Sequence, residues 1–217
     1  MQYILGKWDF MGRTFEIGEG VLIPRPETEI LCQKGIDFLK NRNNPVVYDL
    51  CSGSGCIGIT LNRECPGAKV FLVEKSHDVH RYLNNNATAI VHESFMGIIV
   101  GDVLRIEDFE SFSEADLIIS NPPYIKSSEI PTLQKEVGYE PKMALDGGED
   151  GLKFYRYIIN NWSQKLKYDG EMMFEIGEDQ GEAVSEIFKK AGFYSKIIKD
   201  YNNNDRIVIG RRMPYDI

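Results

Sequence analysis

Cysteine and histidine are scarce here: four of one and three of the other in 217 residues. Cys32, Cys51, Cys56 and Cys65 form no C-x-x-C pair, which argues against a zinc cluster, so no metal is expected. The thiols read as packed side chains of a reducing compartment, not as a disulfide framework. Long apolar runs are missing too: none approaches the ~20 residues of a membrane span. The opening "MQYILGKWDF" lacks the basic-then-apolar order of a signal peptide. The expectation is a cytoplasmic protein with no membrane partner. Nor is there an excess of positive charge. A formal net charge of −8 argues against a long nucleic-acid footprint, which needs a concentrated Lys/Arg surface.

What remains is an ordinary globular composition, 42% hydrophobic and 27% charged, in a 24.8 kDa chain long enough to bury a core. "YILGKWDFMGRTFEI" sets "DFMG" between two runs of β-formers and predicts a hairpin. "GVLIPRPETE" then feeds a helix through Ile30–Leu39, with Pro26 near its first turn. From there short apolar runs alternate with helical patterns. "VVYDL", "KVFLVE", "GIIVGD", "ADLIIS" and "EMMFEI" read as strands. Helices are expected from Cys56, over His77–Ile90, over Tyr155–Lys167 and over Glu182–Lys190. "YSKIIKDY" and "RIVIGRR", joined by "NNND", read as an antiparallel pair. Such alternation predicts an α/β fold with a mostly parallel sheet covered on both faces.

Two motifs carry chemistry. "DLCSGSGCIG" joins the first of these strands to its helix, and Gly53, Gly55 and Gly58 spell G-x-G-x-x-G, with Glu74 ending the next strand. Glycines let a ligand approach the backbone, a helix start offers N–H groups, and a carboxylate at that strand end suits ribose hydroxyls. A dinucleotide or S-adenosylmethionine would satisfy this pattern, and so would a tight turn with no ligand. Spacing discriminates: Asp49 stands inside the strand end, giving D-x-x-x-G-x-G, which resembles the first motif of class I methyltransferases. "GDV" follows the third of these strands, where that fold makes its adenine pocket, although Asp102 also fits a solvated turn.

The second motif is "SNPPYI". Two prolines end a strand, fix the backbone and leave carbonyls without local N–H partners. With the side-chain oxygen of Asn121, those carbonyls can accept hydrogen bonds from an NH₂ group, while Tyr124 stacks on the flat group carrying it. An amide or arylamine nitrogen is a poor nucleophile because its lone pair is delocalised. Acceptors on its hydrogens orient it and stabilise the charge that develops as a methyl group arrives. The bland reading of N-P-P-Y is a rigid turn.

N-P-P-Y resembles the amino-methyltransferases of adenine, cytosine and glutamine. "QYILGKWDFMGRTFEI", "VLIPRPETE", "SNPPYI", "EVGYEPKMALDGGEDGLKFY", "EIGEDQ" and "DRIVIG" together resemble the PrmC/HemK family of protein-(glutamine-N5) methyltransferases, over nearly the whole chain. The resemblance implies a class I S-adenosylmethionine-dependent methyltransferase fold: seven strands, mostly parallel, with a final antiparallel strand. It implies a β-hairpin over residues 1–20 and a catalytic domain over 21–217. The implied reaction moves methyl from S-adenosylmethionine to the Gly-Gly-Gln glutamine of a peptide-chain release factor. Asn121, Pro122, Pro123 and Tyr124 would hold that glutamine. Asp49, Cys51, Ser52, Gly53, Ser54 and Gly55 would wrap the donor's methionine part with Asn121 beside it, Glu74 its ribose, and Asp102 with Val103 its adenine. Arg25 and Glu27 would help close the substrate pocket, or alternatively form an ion pair bracing the hairpin.

Three departures stand out. Cys51 replaces the usual glycine, a small change with a backbone cost at most, and Glu74 replaces the usual aspartate, which keeps the carboxylate but changes its reach slightly. Bacterial members normally carry a small helical domain before the hairpin, associated with release-factor docking, whereas this sequence starts at the hairpin. The expected consequence is a raised KM for an intact release factor. Rival readings are an adenine-N6 methyltransferase of DNA or RNA, a catalytically silent binding module and, more distantly, an NAD-dependent oxidoreductase.

Overall fold

A computed structural model describes residues 2–134 and 137–213. Met1, Glu136 of the "EVGYEP" stretch and the last four residues of the 21–217 span lie outside the described residues. A short helix, α1 (Gln2–Leu5), precedes the hairpin β1 (Lys7–Phe10) and β2 (Arg13–Glu16). Phe10 pairs with Arg13, so the turn is Met11–Gly12 alone. Both have positive φ, 46° and 72°, the signature of the two-residue turn that matches strand twist. The unusual conformation of Met11 is held from outside, because its N–H donates to Glu29 Oε1 at 2.9 Å.

Helix α2 (Pro26–Leu39) starts with proline in its first turn and with Glu27 and Glu29 at the positive end of its dipole. Then follow β3 (Val46–Leu50), α3 (Cys56–Glu64), β4 (Lys69–Glu74), α4 (His80–Ile90), β5 (Gly97–Val100) and β6 (Ala115–Ser120). A long loop containing α5 (Lys142–Leu145) leads to α6 (Lys153–Trp162), β7 (Leu166–Glu175), α7 (Gly181–Lys190), β8 (Phe193–Lys199) and β9 (Asp205–Arg212). The seven-stranded sheet runs β5-β4-β3-β6-β7-β9-β8. Its strands are parallel from β5 through β7, and β9 inserts antiparallel to both β7 and β8.

Alternation along the strands divides the core into two layers. Val47, Leu117, Ile119 and Met173 face α2, α3 and the hairpin residues Phe10 and Phe15. Tyr48, Ile118, Met172 and Phe174 face α6 and α7, where Tyr155, Ile158, Ile159 and Trp162 form one buried stripe.

Three expectations shift. The helix expected over Tyr155–Lys167 ends at Trp162, and after one 3₁₀ turn Leu166 and Lys167 already belong to β7. Leu166 is buried on the Trp162 side of the sheet, and tertiary pairing overrides its helical propensity. The helix expected from His77 begins at His80. α1 was not foreseen, since four residues carry too little periodicity to read.

Candidate active site

The carboxyl ends of β3, β4 and β6 surround a cavity of about 440 Å³, within the range that holds small cofactors. Cys51, Ser52, Gly53, Ser54, Glu74, Asp102, Val103, Asn121 and Pro123 all reach its wall. Parallel pairing of the three strands brings these scattered residues to one edge of the sheet.

At one end the loop after β3 folds back tightly. Cys51, Gly53 and Gly55 all have positive φ, at 60°, 55° and 80°. The Cys51 side chain therefore occupies the left-handed region that glycine visits freely, which is the backbone cost that the substitution allowed for. Ser52 Oγ donates to the Asp49 carbonyl at 2.7 Å, and Gly53 N–H donates to Glu74 Oε2 at 2.9 Å. The other Glu74 oxygen accepts from Ser76 N–H at 2.8 Å. One carboxylate thus orders the loops after β3 and β4, and its remaining lone pairs stay available at the cavity wall. Further along, Lys75 Nζ donates to Asp102 Oδ2 at 2.7 Å and Leu104 N–H to Oδ1 at 3.0 Å. Burial alone would raise the Asp102 pKa, but the ammonium and the N–H outweigh it and hold the carboxyl below its ordinary value.

Asp49 is placed differently from the expectation of donor contact. It is fully buried beneath the loop, away from the cavity wall, and Oδ2 accepts from Gly58 N–H at 2.8 Å. Gly58 packs close: a Cβ there would stand 2.3 Å from Leu72 and 2.9 Å from Asp49 Oδ2. Burial, with the Glu74 charge adding to it and the Gly58 bond opposing, pushes the Asp49 pKa up to about 7. A carboxyl raised in the folded state favours folding fully below its unfolded pKa near 4 and loses that contribution as pH rises through about 7. Asp49→Asn removes this titration. The melting temperature of Asp49→Asn minus that of the original chain should therefore climb between pH 4 and 7 by roughly 2–4 °C per kcal/mol. Calorimetry across that range checks it; a flat difference contradicts the assignment.

At the other end stands the tetrad. Asn121 follows β6, and its Nδ2 donates to Thr28 Oγ1 at 3.3 Å. The Thr28 hydroxyl donates in turn to Glu175 Oε2 at 2.6 Å. Asn121 Oδ1 is buried without a hydrogen-bond partner among the described residues, although Asn121 lines the cavity. An unmatched buried acceptor costs free energy, so its survival on a residue that lines the cavity points to a ligand that supplies the donor.

Pro122 is buried and Tyr124 half-buried behind the wall that Asn121 and Pro123 form. The "ALDGGEDGL" stretch brackets this turn from outside. Ile125 N–H donates to the Leu145 carbonyl at 2.9 Å, Gly147 N–H to the Ile125 carbonyl at 2.8 Å, and Gln180 Nε2 to the Tyr124 carbonyl at 3.0 Å. A Cβ on Gly147 would lie 2.7 Å from Tyr124 Cα, and one on Gly151 would lie 2.4 Å from the Tyr124 carbonyl oxygen. These glycines are spacers that let the bracket close.

Arg25 and Glu27 stand off the wall as well. Arg25 pairs with Glu140, whose side chain is almost wholly buried, so it anchors the loop after the tetrad. The hairpin brace considered for it is made by Glu29 instead. Gly55 packs against Leu83 and Ile59 outside the cavity wall. Sequence reasoning missed Thr28, Glu175 and Asn86. Asn86, buried on α4, donates to the carbonyls of Ser54 and Glu16 and so ties the glycine loop to the hairpin. Thr28 and Glu175 lay inside quoted stretches, but they are 147 positions apart and only the fold joins them.

The "Methyltransferase small domain" family profile matches residues 28–148. The release factor glutamine methyltransferase of Clostridium acetobutylicum is 40% identical over 98% of this chain and 75% of its own length. That of Aquifex aeolicus is 36% identical over 97% and 74%. Among solved structures, the release factor-specific protein-(glutamine-N5) methyltransferase of Alicyclobacillus acidocaldarius aligns with a TM-score of 0.56 at 26% identity, covering 92% of this chain and all of that one. A methyltransferase from Pyrococcus furiosus, at TM-score 0.67 and 18% identity over 92% and 89%, shares the fold. With the glycine loop, the carboxylate after β4 and N-P-P-Y on one cavity, this chain belongs to the release factor glutamine methyltransferase family.

Proposed function

We propose that this protein transfers methyl from S-adenosylmethionine to the side-chain amide nitrogen of a glutamine in a peptide-chain release factor, in the cytoplasm. The observation that carries it is Asn121 Oδ1, a buried acceptor without a partner among the described residues, on a side chain that lines the same cavity as Glu74, Asp102 and Val103. The chemistry there fits the donor: Glu74 offers carboxylate lone pairs for two hydroxyls, and Val103 with Leu104 gives an apolar wall for a flat base. When bound, S-adenosylmethionine supplies an electrophilic methyl group on a sulfonium.

Asn121 Oδ1 and a carbonyl of the Pro122–Pro123 pair accept from the two amide hydrogens and aim the nitrogen lone pair along the cavity. As the methyl carbon's bond to sulfur breaks and its bond to nitrogen forms, leaving a neutral thioether, positive charge would grow on that nitrogen, and these acceptors would stabilise it before one amide hydrogen passes to water as a proton. The reaction needs positioning more than a strong base, and the site has a rigid turn bracketed by two close-packed glycines to supply it.

The test is radiolabelled methyl transfer to a purified release factor and to DNA in parallel, with a Gln→Ala factor as blank. Label on the factor and none on the blank is expected. Label on DNA alone overturns the reading in favour of adenine.

A further inference from the structure

We infer that Thr28 and Glu175 are positioning residues that decide which end of the Asn121 amide faces the substrate. This rests on the amide-methylating reading above.

The two ends of an asparagine amide have opposite chemistry: the oxygen only accepts and the nitrogen only donates. Turned over, the amide would present NH₂ to the substrate NH₂, two donors face to face. Something must therefore exclude the flipped state. Glu175 does so directly, as an acceptor beside the Asn121 amide, and through the Thr28 hydroxyl. An ionised carboxylate only accepts, so the single Thr28 hydroxyl hydrogen goes to Glu175 Oε2, and the Thr28 lone pairs are left for Asn121 Nδ2. The series has one polarity, and it ends with Oδ1 buried and unpartnered on a residue that lines the cavity. Thr28 and Glu175 are 2% and 1% exposed, so water hardly competes for these bonds.

Protonation reverses the series. A neutral Glu175 can donate to Thr28 Oγ1, which frees the hydroxyl to donate to Asn121 and favours the flipped amide. The groups facing Glu175 are Arg206 on β9, which favours the carboxylate, and Glu27 on α2, which opposes it. The Asn121 amide, Tyr124, Tyr155 on α6 and Cys56 on α3 also lie beside it, and Tyr155 donates to the Glu175 backbone carbonyl at 2.8 Å. Burial outweighs the Thr28 and Asn121 bonds and Arg206 and pushes the Glu175 pKa up to about 7, so the reversal falls within the working range of pH.

The experiment compares the original chain with Thr28→Ser, Thr28→Val and Glu175→Gln. Steady-state kinetics on an intact release factor are read from pH 5.5 to 9, with the Asn121 side-chain amide followed by ¹⁵N NMR. That resonance is identified by its loss in Asn121→Ala. The expected results are a kcat that falls on the acid side in the original chain and a flat acid side in Glu175→Gln. Thr28→Ser should stay within about threefold, while Thr28→Val should lose at least tenfold in kcat with little change in KM and move the Asn121 amide resonance. An acid limb that persists in Glu175→Gln overturns the inference. So does Thr28→Val with unchanged kcat and resonance. Failure of the original chain to label any release factor counts against the proposed function alone, because the NMR comparison still reports the amide.

Discussion

Asn121→Ala should lower kcat for glutamine methylation by at least ~10²-fold while the chain still folds. The side chain supplies the buried orphan acceptor Oδ1 and a 3.3 Å bond to Thr28, so truncation removes the orphan and leaves Thr28 to bond Glu175 as before. Stability should change little for the same reason. The rate effect is large because the acceptor matters most when positive charge develops on the nitrogen, and removing one preorganised partner of that kind typically costs about 10²–10³ in rate. KM should move much less than kcat, since the amide in its ground state bonds almost as well to water. The measurement is steady-state methyl transfer alongside thermal unfolding of both proteins. A folded Asn121→Ala protein with near-normal kcat would sink the mechanism, whatever its partner.

S-adenosylmethionine or S-adenosylhomocysteine should raise the unfolding temperature by several degrees, and NAD should not. A ligand at a hundred times its Kd stabilises the state that binds it by about 2.7 kcal/mol. In a chain of this size that corresponds to roughly 5–10 °C. Glu74→Ala should lower the unliganded melting temperature, because the Gly53 and Ser76 N–H groups lose their acceptor. It should also shrink the donor-induced shift, because the hydroxyl-binding lone pairs are gone. The second effect is the diagnostic one, as only the shift reports binding. Stabilisation by NAD alone would overturn the donor assignment.

Much of this protein was legible in its sequence for local reasons. Strand positions such as Val46–Leu50 and Lys69–Glu74 are short apolar runs bounded by turn residues, and they fold where the pattern places them. The glycine loop and N-P-P-Y were readable because backbone constraints are written in the residue itself: proline removes a donor, and glycine opens the left-handed region. Cys51 shows the limit of that rule, since its φ of 60° is imposed by neighbours and not by its own preference. What the tertiary structure decided was which side chains meet. Asp49 belonged by spacing to the donor loop, yet the close approach of Gly58 turned it inward, away from the cavity. Arg25 and Glu29 lie four residues apart on one motif, and only the packing of α2 sends the first to Glu140 and the second to the hairpin turn. Thr28 and Glu175 carry no spacing signal at all, because a contact across 147 residues is created by sheet order and helix packing, and no local preference encodes it.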